Sequence, residues 1–125
     1  MIPCVAMEGL PKEALEQVAS YFQALSEPTR LTLLNLLRGG ERSVGELAQL
    51  TGFTIANVSR HLTLLCQRGL VTRESRGTSA FYRIADDSVF ALCDLVCGNV
   101  AERLDRHARE RDLFKPAAQR TQAVR

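Results

Sequence analysis

Two cysteines, Cys93 and Cys97, lie four residues apart in a segment whose apolar residues recur at helical spacing. On an α-helix this spacing puts both side chains on one face, with Cβ atoms about 5–6 Å apart. Two thiolates placed in this way can bind one soft ion, because sulfur ligands favour thiophilic metals and metalloids. Cysteines also pack as small hydrophobic side chains, so the pattern alone leaves burial in a helix interface open.

The chain has four cysteines, and the remaining two, Cys4 and Cys66, differ in what they offer to such a site. A trigonal pyramidal site, the geometry of trivalent arsenic or antimony, needs a third ligand, which Cys4 on the N-terminal segment could supply. Cys66 follows Leu65 near the end of a predicted helix, where we expect it to be packed. A second possibility is a persulfide or redox switch, and a polysulfide or inter-subunit link suits this spacing better than a direct disulfide.

Residues 43–70 predict two helices joined by a tight turn. The first helix is short, with Leu47 and Leu50 facing inward, and Gly52 supplies the positive φ that the turn requires. Thr54 fits the N-cap of the second helix, because its hydroxyl can accept a hydrogen bond from a free backbone N–H. The apolar residues of the second helix follow spacings of three, four and three and therefore share one face: Ile55, Val58, Leu62 and Leu65.

The opposite face of this second helix is polar and partly cationic. Its candidate DNA contacts are Thr54, Asn57, Ser59, Arg60 and His61. Such side chains can reach base edges and phosphates when a helix enters the major groove. An ordinary solvated helix face has the same composition, so the segment that follows is needed to decide between the two interpretations.

Residues 71–84 predict a β-hairpin with its turn at Gly77. On each side of that glycine, successive residues alternate between the two faces of a strand. Arg73 and Arg76 lie near the tip, and Arg83 lies on the return strand. A hairpin directly after a recognition helix is a wing, whose arginines can contact phosphate oxygens beside the groove. Arginines can also protect the edge of a two-stranded ribbon, but beside this helix we favour phosphate contact.

Three segments together resemble the ArsR/SmtB family of metal- and stress-sensing repressors. They are residues 24–37 (ALSEPTRLTLLNLL), residues 43–71 and the wing at residues 77–84 (GTSAFYRI), in the family's order and spacing. The resemblance spans about residues 12–108. It implies a homodimeric winged-helix repressor that leaves its operator in double-stranded DNA when an inducer binds.

The resemblance also changes the interpretation of the cysteines. Membership of a sensor family implies an inducer site on the dimerisation helix, which favours ligand binding over simple burial. It favours As(III) or Sb(III) as the inducer, bound by Cys93 and Cys97 with Cys4 as the candidate third ligand. A persulfide- or redox-sensing repressor is the alternative. The cysteine cluster that many family sensors carry before the turn is missing from SVGELAQL. Ser88 and Asn99 stand where zinc sensors have histidines, so we expect no zinc site of that kind.

Composition sets the remaining bounds. The 125 residues allow one domain with a modest core, and a net charge of +2 means that DNA binding must depend on a local basic patch. No apolar run is long enough to span a membrane, and the N-terminus lacks a secretory pattern, which predicts a reducing, cytoplasmic location. Paired carboxylates, a nucleophile with a matching histidine and acid, and a glycine-rich phosphate loop are all missing, so we expect no enzyme activity.

The predicted fold is mainly α with a small β-hairpin, a winged helix-turn-helix that dimerises through its N- and C-terminal helices. We expect a flexible arm at residues 1–10, the DNA-binding and dimerisation domain at residues 11–109, and a disordered tail at residues 110–125. The first and last helices carry apolar stripes that a domain of this size leaves uncovered, and pairing across a two-fold axis would bury them. Such a dimer predicts a pseudo-palindromic operator. The same stripes could instead dock a different protein.

Overall fold

The computed structural model describes residues 7–119, which form α-helices and one small antiparallel sheet. The elements in chain order are α1 (Lys12–Ala24), α2 (Pro28–Leu37), β1 (Arg42–Ser43), α3 (Val44–Thr51), α4 (Ile55–Gln67), β2 (Val71–Arg76), β3 (Ser79–Ile84), α5 (Ser88–Asp112) and a short 3-10 helix (Ala117–Gln119). The chain divides into two compact units, Met1–Asp86 and Asp87–Arg125. The first unit holds every element from α1 to β3, and the second holds α5 and the 3-10 helix.

The core of the first unit is aliphatic. α1 to α4 and the sheet all contribute to it, and its members are Ala24, Leu33, Leu34, Leu37, Leu47, Ala48, Val58, Leu62, Leu65, Leu70 and Val71, with Tyr82 from β3. Three of these recur at helical spacing along α4, which fixes the face that this helix turns inward. The opposite face of α4 is therefore left at the surface of the unit.

The N-terminus of α2 is capped by a glutamate and not by the preceding residue, Ser26, although a serine hydroxyl suits an N-cap. The N-cap is Glu27, and a carboxylate oxygen of Glu27 accepts a hydrogen bond from the backbone N–H of Arg30 at 3.1 Å. Pro28 at the first helical position explains the difference, because the residue before a proline is driven into the extended region. Glu27 has that conformation, with φ −136° and ψ 126°.

The two helices that the sequence predicts around Gly52 are present as α3 and α4. α3 starts with a capping box, in which Ser43 Oγ accepts from the backbone N–H of Glu46 at 3.1 Å and the Glu46 carboxylate accepts from the backbone N–H of Ser43 at 3.1 Å. Gly52 has φ 77° at the C-terminal end of α3, and Thr54 Oγ1 accepts from the backbone N–H of Asn57 at 3.1 Å. These contacts fix the length of the turn and hence the direction of α4.

Gly52→Ala should destabilise the turn by about 1–2 kcal/mol, the cost of a left-handed conformation for a residue with a Cβ atom. A Cβ at Gly52 would meet no heavy atom within 4 Å, so the cost comes from the backbone alone. The free energy of unfolding measures it, at one fixed protein concentration. Gly45→Ala inside α3 is the matched control and should stabilise slightly, since alanine is the better helix former. Equal effects of the two substitutions would contradict this account.

The predicted hairpin is part of a larger sheet than expected. β2 and β3 pair antiparallel around the turn at Gly77, and β1 adds a third strand on the free side of β3, with Arg42 opposite Tyr82. β1 has two residues, which is too short to leave a periodic pattern in the sequence. Its pairing brings the segment before α3 against the wing.

Two aliphatic positions of the helix-turn-helix are not where the periodicity places them. The spacing predicts that Leu50 in α3 and Ile55 in α4 face inward, but their side chains are 55% and 60% exposed. Both lie beside the turn, where the helices extend beyond the core they pack on. The predicted burial of the apolar residues of α4 is therefore confirmed for Val58, Leu62 and Leu65 and is wrong for Ile55.

α5 extends beyond the apolar residues that predict a helix there. Helical spacing of apolar residues stops near Leu104, yet α5 continues to Asp112, and the 3-10 helix follows within the segment expected to be disordered. Side-chain pairs along the last turns support the extension: Asp105 forms an ion pair with Arg109 at 3.6 Å, and His107 lies 3.7 Å from Glu110. Among the helices of residues 7–119, none combines the length and the apolar character needed to cross a membrane.

Candidate nucleic-acid interface

The outward side of α4 collects most of the polar residues that the sequence assigns to DNA contact. We call this surface the recognition face and define it by Thr54, Asn57, Ser59, Arg60 and Thr63. Arg60 Nη2 donates a hydrogen bond to Asn57 Oδ1 at 2.8 Å, and Thr63 Oγ1 donates to the Ser59 carbonyl at 2.8 Å. Thr54 uses its hydroxyl oxygen as the helix cap, which leaves the hydroxyl proton available to an acceptor outside the protein.

The Arg60–Asn57 pair gives the recognition face a planar group of donors and acceptors. The guanidinium and the amide lie one helical turn apart, and Arg60 is exposed. A guanidinium pairs with two acceptors of guanine, and a side-chain amide pairs with both hydrogen-bonding groups of adenine. The pair can therefore offer hydrogen bonds to neighbouring base edges in the major groove.

His61, the fifth predicted DNA contact, is placed differently from the others. Its side chain is 14% exposed, and its Nδ1 atom lies 3.3 Å from Arg30 Nη1 and 4.0 Å from a carboxylate oxygen of Glu27. Because a guanidinium carries only donors, Nδ1 is the acceptor in the contact with Arg30. The ring edge that holds Nδ1 therefore faces α2, and the recognition face forms without it.

Arg30 is a positioning residue that sequence reasoning missed. Besides His61 Nδ1, it donates from Nε to the Ala24 carbonyl at 2.7 Å and from Nη2 to the Gln23 carbonyl at 3.1 Å. One guanidinium thus links the end of α1 to the middle of α4. The signal was a single charged residue in a helix whose ten residues include five leucines, since a partly buried guanidinium must find several acceptors.

The wing holds its arginines in two different environments. Arg76 makes a bidentate ion pair with Glu41 at 2.6 and 3.0 Å and a single hydrogen-bonded ion pair with Glu74 at 2.7 Å. Its guanidinium also lies 4.6 Å from the centre of the Phe81 ring. The hydrogen bond from Arg76 lowers the pKa of Glu74, so this pair persists at neutral pH and is lost as pH falls through that lowered value. The charge of Arg76 is therefore compensated within the protein.

Arg73 and Arg83, in contrast, donate to neutral hydroxyl groups. Arg73 Nη1 donates to Ser75 Oγ at 2.9 Å, and Arg83 Nε donates to Thr72 Oγ1 at 3.1 Å. These contacts orient the guanidinium groups without cancelling their charge. Of the two arginines predicted to contact phosphate, Arg73 is thus available, whereas Arg76 connects the wing to the segment before β1.

The thiol pair, Cys93 and Cys97, lies within the first half of α5. Cys93 is half-buried and Cys97 is exposed, and neither is in a disulfide. Within residues 7–119, no group of three or more histidine, cysteine or acidic side chains is arranged to hold a metal ion. Cys4 lies outside the described residues. Cys66 is in the first unit, where burial raises the pKa of its thiol.

Comparisons with known proteins agree with this architecture. A family profile described as "Bacterial regulatory protein, arsR family" matches residues 27–73, from the cap of α2 into β2. The chain is 42% identical over 82 residues to the HTH-type transcriptional regulator Rv0324 of Mycobacterium tuberculosis, which covers 66% of this chain and 36% of that protein. It is 35% identical over 88 residues to a probable mercury resistance operon repressor of Streptomyces lividans, covering 70% of both.

A solved structure matches the fold over most of its length. It is the homodimeric winged helix-turn-helix DNA-binding domain Mb0332 of Mycobacterium bovis, with a TM-score of 0.68 and 38% identity over 81% of this chain and 96% of that one. The predicted winged helix-turn-helix is thus confirmed. The relatives are named as transcriptional regulators and not as enzymes, as the sequence predicted. The chain belongs to the ArsR/SmtB family of DNA-binding winged helix-turn-helix transcriptional repressors.

Proposed function

We propose that this repressor leaves its operator when a thiophilic inducer, trivalent arsenic or antimony, binds the thiol pair. The observation that carries the proposal is the pair itself, with Cys93 and Cys97 one helical turn apart on α5 and Cys97 open to solvent. Cys4 is the proposed third ligand. The name of the Streptomyces lividans relative, which refers to mercury resistance, supports a soft, thiol-binding inducer.

The chemistry of binding requires only the thiols and the inducer. Arsenous acid carries three hydroxyl groups on arsenic, and each thiol that bonds to arsenic gives up its proton to one of them, which leaves as water. Arsenic stays trivalent, so no oxidant or reductant takes part. Two As–S bonds use the thiol pair, and the third position is the one we assign to Cys4.

DNA binding is proposed to use the recognition face for bases and the wing for phosphates. Arg60, Asn57, Ser59 and Thr54 are the proposed base and adjacent phosphate contacts. Arg73 is the proposed phosphate contact on the wing, because its charge has no carboxylate partner among its hydrogen bonds in the described chain. Phosphate contacts fix the position of the protein on DNA, and base contacts select the sequence.

The functional unit is proposed to be a homodimer that binds a pseudo-palindromic operator. α5 exposes an apolar row, Val96, Val100 and Leu104, and α1 exposes Leu15 and Phe22. Apolar side chains at helical spacing need a covering surface, which a second copy supplies. The Mycobacterium bovis domain is itself homodimeric, which supports this arrangement. Two copies of α4 related by a two-fold axis would then meet two half-sites.

Induction follows from differential binding. An inducer lowers operator affinity only if it binds more tightly to the DNA-free arrangement of the dimer than to the DNA-bound one. A coupling free energy of about 1–3 kcal/mol is typical and corresponds to roughly 5–150-fold in affinity. The thiol pair lies on the helix that carries the apolar row, so inducer binding and dimer arrangement share one element.

Fluorescence anisotropy of operator DNA tests the proposal directly. The reduced protein, bound to its operator, is titrated separately with As(III), Sb(III), Zn(II) and a persulfide donor. We expect As(III) or Sb(III) to release the DNA and Zn(II) to leave it bound. Retention of DNA with both metalloids would overturn the assignment of the inducer while leaving the assignment of a DNA-binding repressor intact.

A second candidate function is a persulfide- or redox-sensing repressor. The observation in its favour is that residues 7–119 hold no group of three or more histidine, cysteine or acidic side chains arranged to bind a metal ion. A persulfide donor RSSH passes its outer sulfur to the exposed Cys97 thiol and leaves as RSH, and two cysteine persulfides formed in this way condense to a trisulfide link with release of hydrogen sulfide. Release by the persulfide donor alone, together with a mass increase on cysteine and no bound metalloid, would favour this candidate.

Arg73 and Arg76, two of the three wing arginines, should differ in how they affect the salt dependence of DNA binding. Each phosphate contact contributes a slope of about −0.9 to a plot of log affinity against log salt concentration. Arg73→Gln should reduce the slope by roughly 1.8 for a dimer. Arg76→Gln should reduce it by less than half as much, because Glu41 and Glu74 already compensate Arg76. Anisotropy titrations over a salt series measure both, and equal reductions would contradict the assignment.

A further inference from the structure

Ile55 is an apolar residue that is not part of the hydrophobic core. Its side chain is 60% exposed, whereas Val58, Leu62 and Leu65 of the same helix are fully buried. A branched aliphatic side chain at the surface leaves apolar area in contact with water, and that area gains stability when a partner covers it. The position of Ile55 in the fold indicates which partner this is.

Ile55 is the first residue of α4 and lies beside the recognition face. Ser59 and Thr63 follow it at intervals of four, so the three side chains form one row along the helix. Its preceding neighbour, Thr54, is the N-cap. In helix-turn-helix proteins the N-terminal residues of the recognition helix contact base edges. Ile55 therefore lies at the end of α4 that is expected to be deepest in the groove, N-terminal to all residues of the recognition face except Thr54.

The major groove presents one apolar group, the C5 methyl of thymine, among the hydrogen-bonding groups of the base edges. An isoleucine side chain has no hydrogen-bonding group, so placing it against a polar base edge would remove water without replacing the lost hydrogen bonds. Against a thymine methyl it buries apolar surface on both sides. We infer that Ile55 is a specificity-determining residue that contacts the methyl group of one thymine in each operator half-site.

This inference rests on the proposed use of α4 for base recognition, and thymine without its methyl group tests it. Binding sites are first selected from random duplexes with the full-length protein. Each thymine of a selected half-site is then replaced by deoxyuridine, which removes only the methyl group, and affinity is measured by anisotropy. Burial of one methyl group corresponds to about a fourfold change in affinity, hence about sixteenfold when both half-sites are changed.

Ile55→Ala should bind the thymine and deoxyuridine duplexes equally well at that position, and sites selected with this variant should lose the thymine there. The side chain is mostly exposed and alanine favours helix, so we expect the variant to fold, which its unfolding transition checks. Leu50→Ala is the matched control, since Leu50 is 55% exposed but belongs to α3. It should retain the full preference for thymine.

Three results would overturn the inference. The wild-type protein could bind every deoxyuridine duplex as well as the thymine duplex, or Ile55→Ala could keep the wild-type preference for thymine, or Leu50→Ala could lose that preference in place of Ile55→Ala. A failure of the proposed function is distinct from these. If the wild-type protein selects no sequence at all, base recognition by α4 is excluded, and the inference about Ile55 is excluded with it.

Discussion

Cys97→Ser should leave the repressor on its operator at As(III) concentrations that release the wild-type protein. Cys97 is the exposed member of the thiol pair, and serine keeps its size while removing the soft sulfur donor. With one As–S bond lost, the difference in inducer affinity between the two arrangements of the dimer disappears. The apparent operator Kd in saturating As(III), which should rise by about 5–150-fold for the wild type, should stay near its inducer-free value.

Cys66→Ser is the matched control for this prediction. Cys66 is not one of the proposed ligands, and burial raises the pKa of its thiol, so As(III) should release the Cys66→Ser protein from DNA as it releases the wild type. Cys93→Ser should behave like Cys97→Ser, because both thiols are needed to hold one ion. A full As(III) response in both Cys93→Ser and Cys97→Ser would exclude the thiol pair as the inducer site.

Arg60→Ala should cause the largest loss of operator affinity among single substitutions in the recognition face. A well-made contact between a side chain and a base contributes about 1–3 kcal/mol, and a dimer would lose it in both half-sites, about 2–6 kcal/mol in total. The loss of Arg60 also frees the Asn57 amide to change its orientation. The measurement is operator Kd at one fixed salt concentration, since affinity depends steeply on salt.

Two comparisons show what kind of contact Arg60 makes. Arg68→Ala removes the same charge at the C-cap of α4, the end that we expect to lie outside the groove, and should weaken binding far less. If Arg60 contacts a base, the variant should lose selectivity at one position of each half-site. A uniform loss for all sequences, with a smaller salt slope, would make Arg60 a phosphate contact instead. Unchanged affinity would remove it from the interface.

The helix-turn-helix and the wing could be predicted from local patterns, because their signals are short in range. Gly52, Thr54 and the stripe at Val58, Leu62 and Leu65 act within one or two turns of helix, and the structure confirms each of them. Ile55 shows the limit of this reasoning. Periodicity tells which side of a helix is apolar, but not where along its length the core ends.

The partners of Arg76 and His61 could not be predicted, for a different reason. Glu41 lies 35 residues before Arg76 in the chain and meets it only because β1 pairs with β3. Arg30 reaches His61 because α2 packs near α4. In both cases the sequence identifies a charged or polar residue, whereas its partner depends on tertiary packing. Residue type thus predicted the candidate contacts with DNA, and the fold decided which of them stay available.

The three hydrogen bonds of Arg30 cannot all be made by another cationic side chain. The three nitrogen atoms of Arg30 reach acceptors on two different elements, the carbonyls of Gln23 and Ala24 and the ring of His61. Lysine keeps the positive charge, but its single nitrogen on a flexible stem lacks the fixed planar spacing that serves acceptors in separate directions. Arg30→Lys would therefore keep the charge but lose this geometry, so a substitution that is conservative elsewhere in the chain is not conservative here.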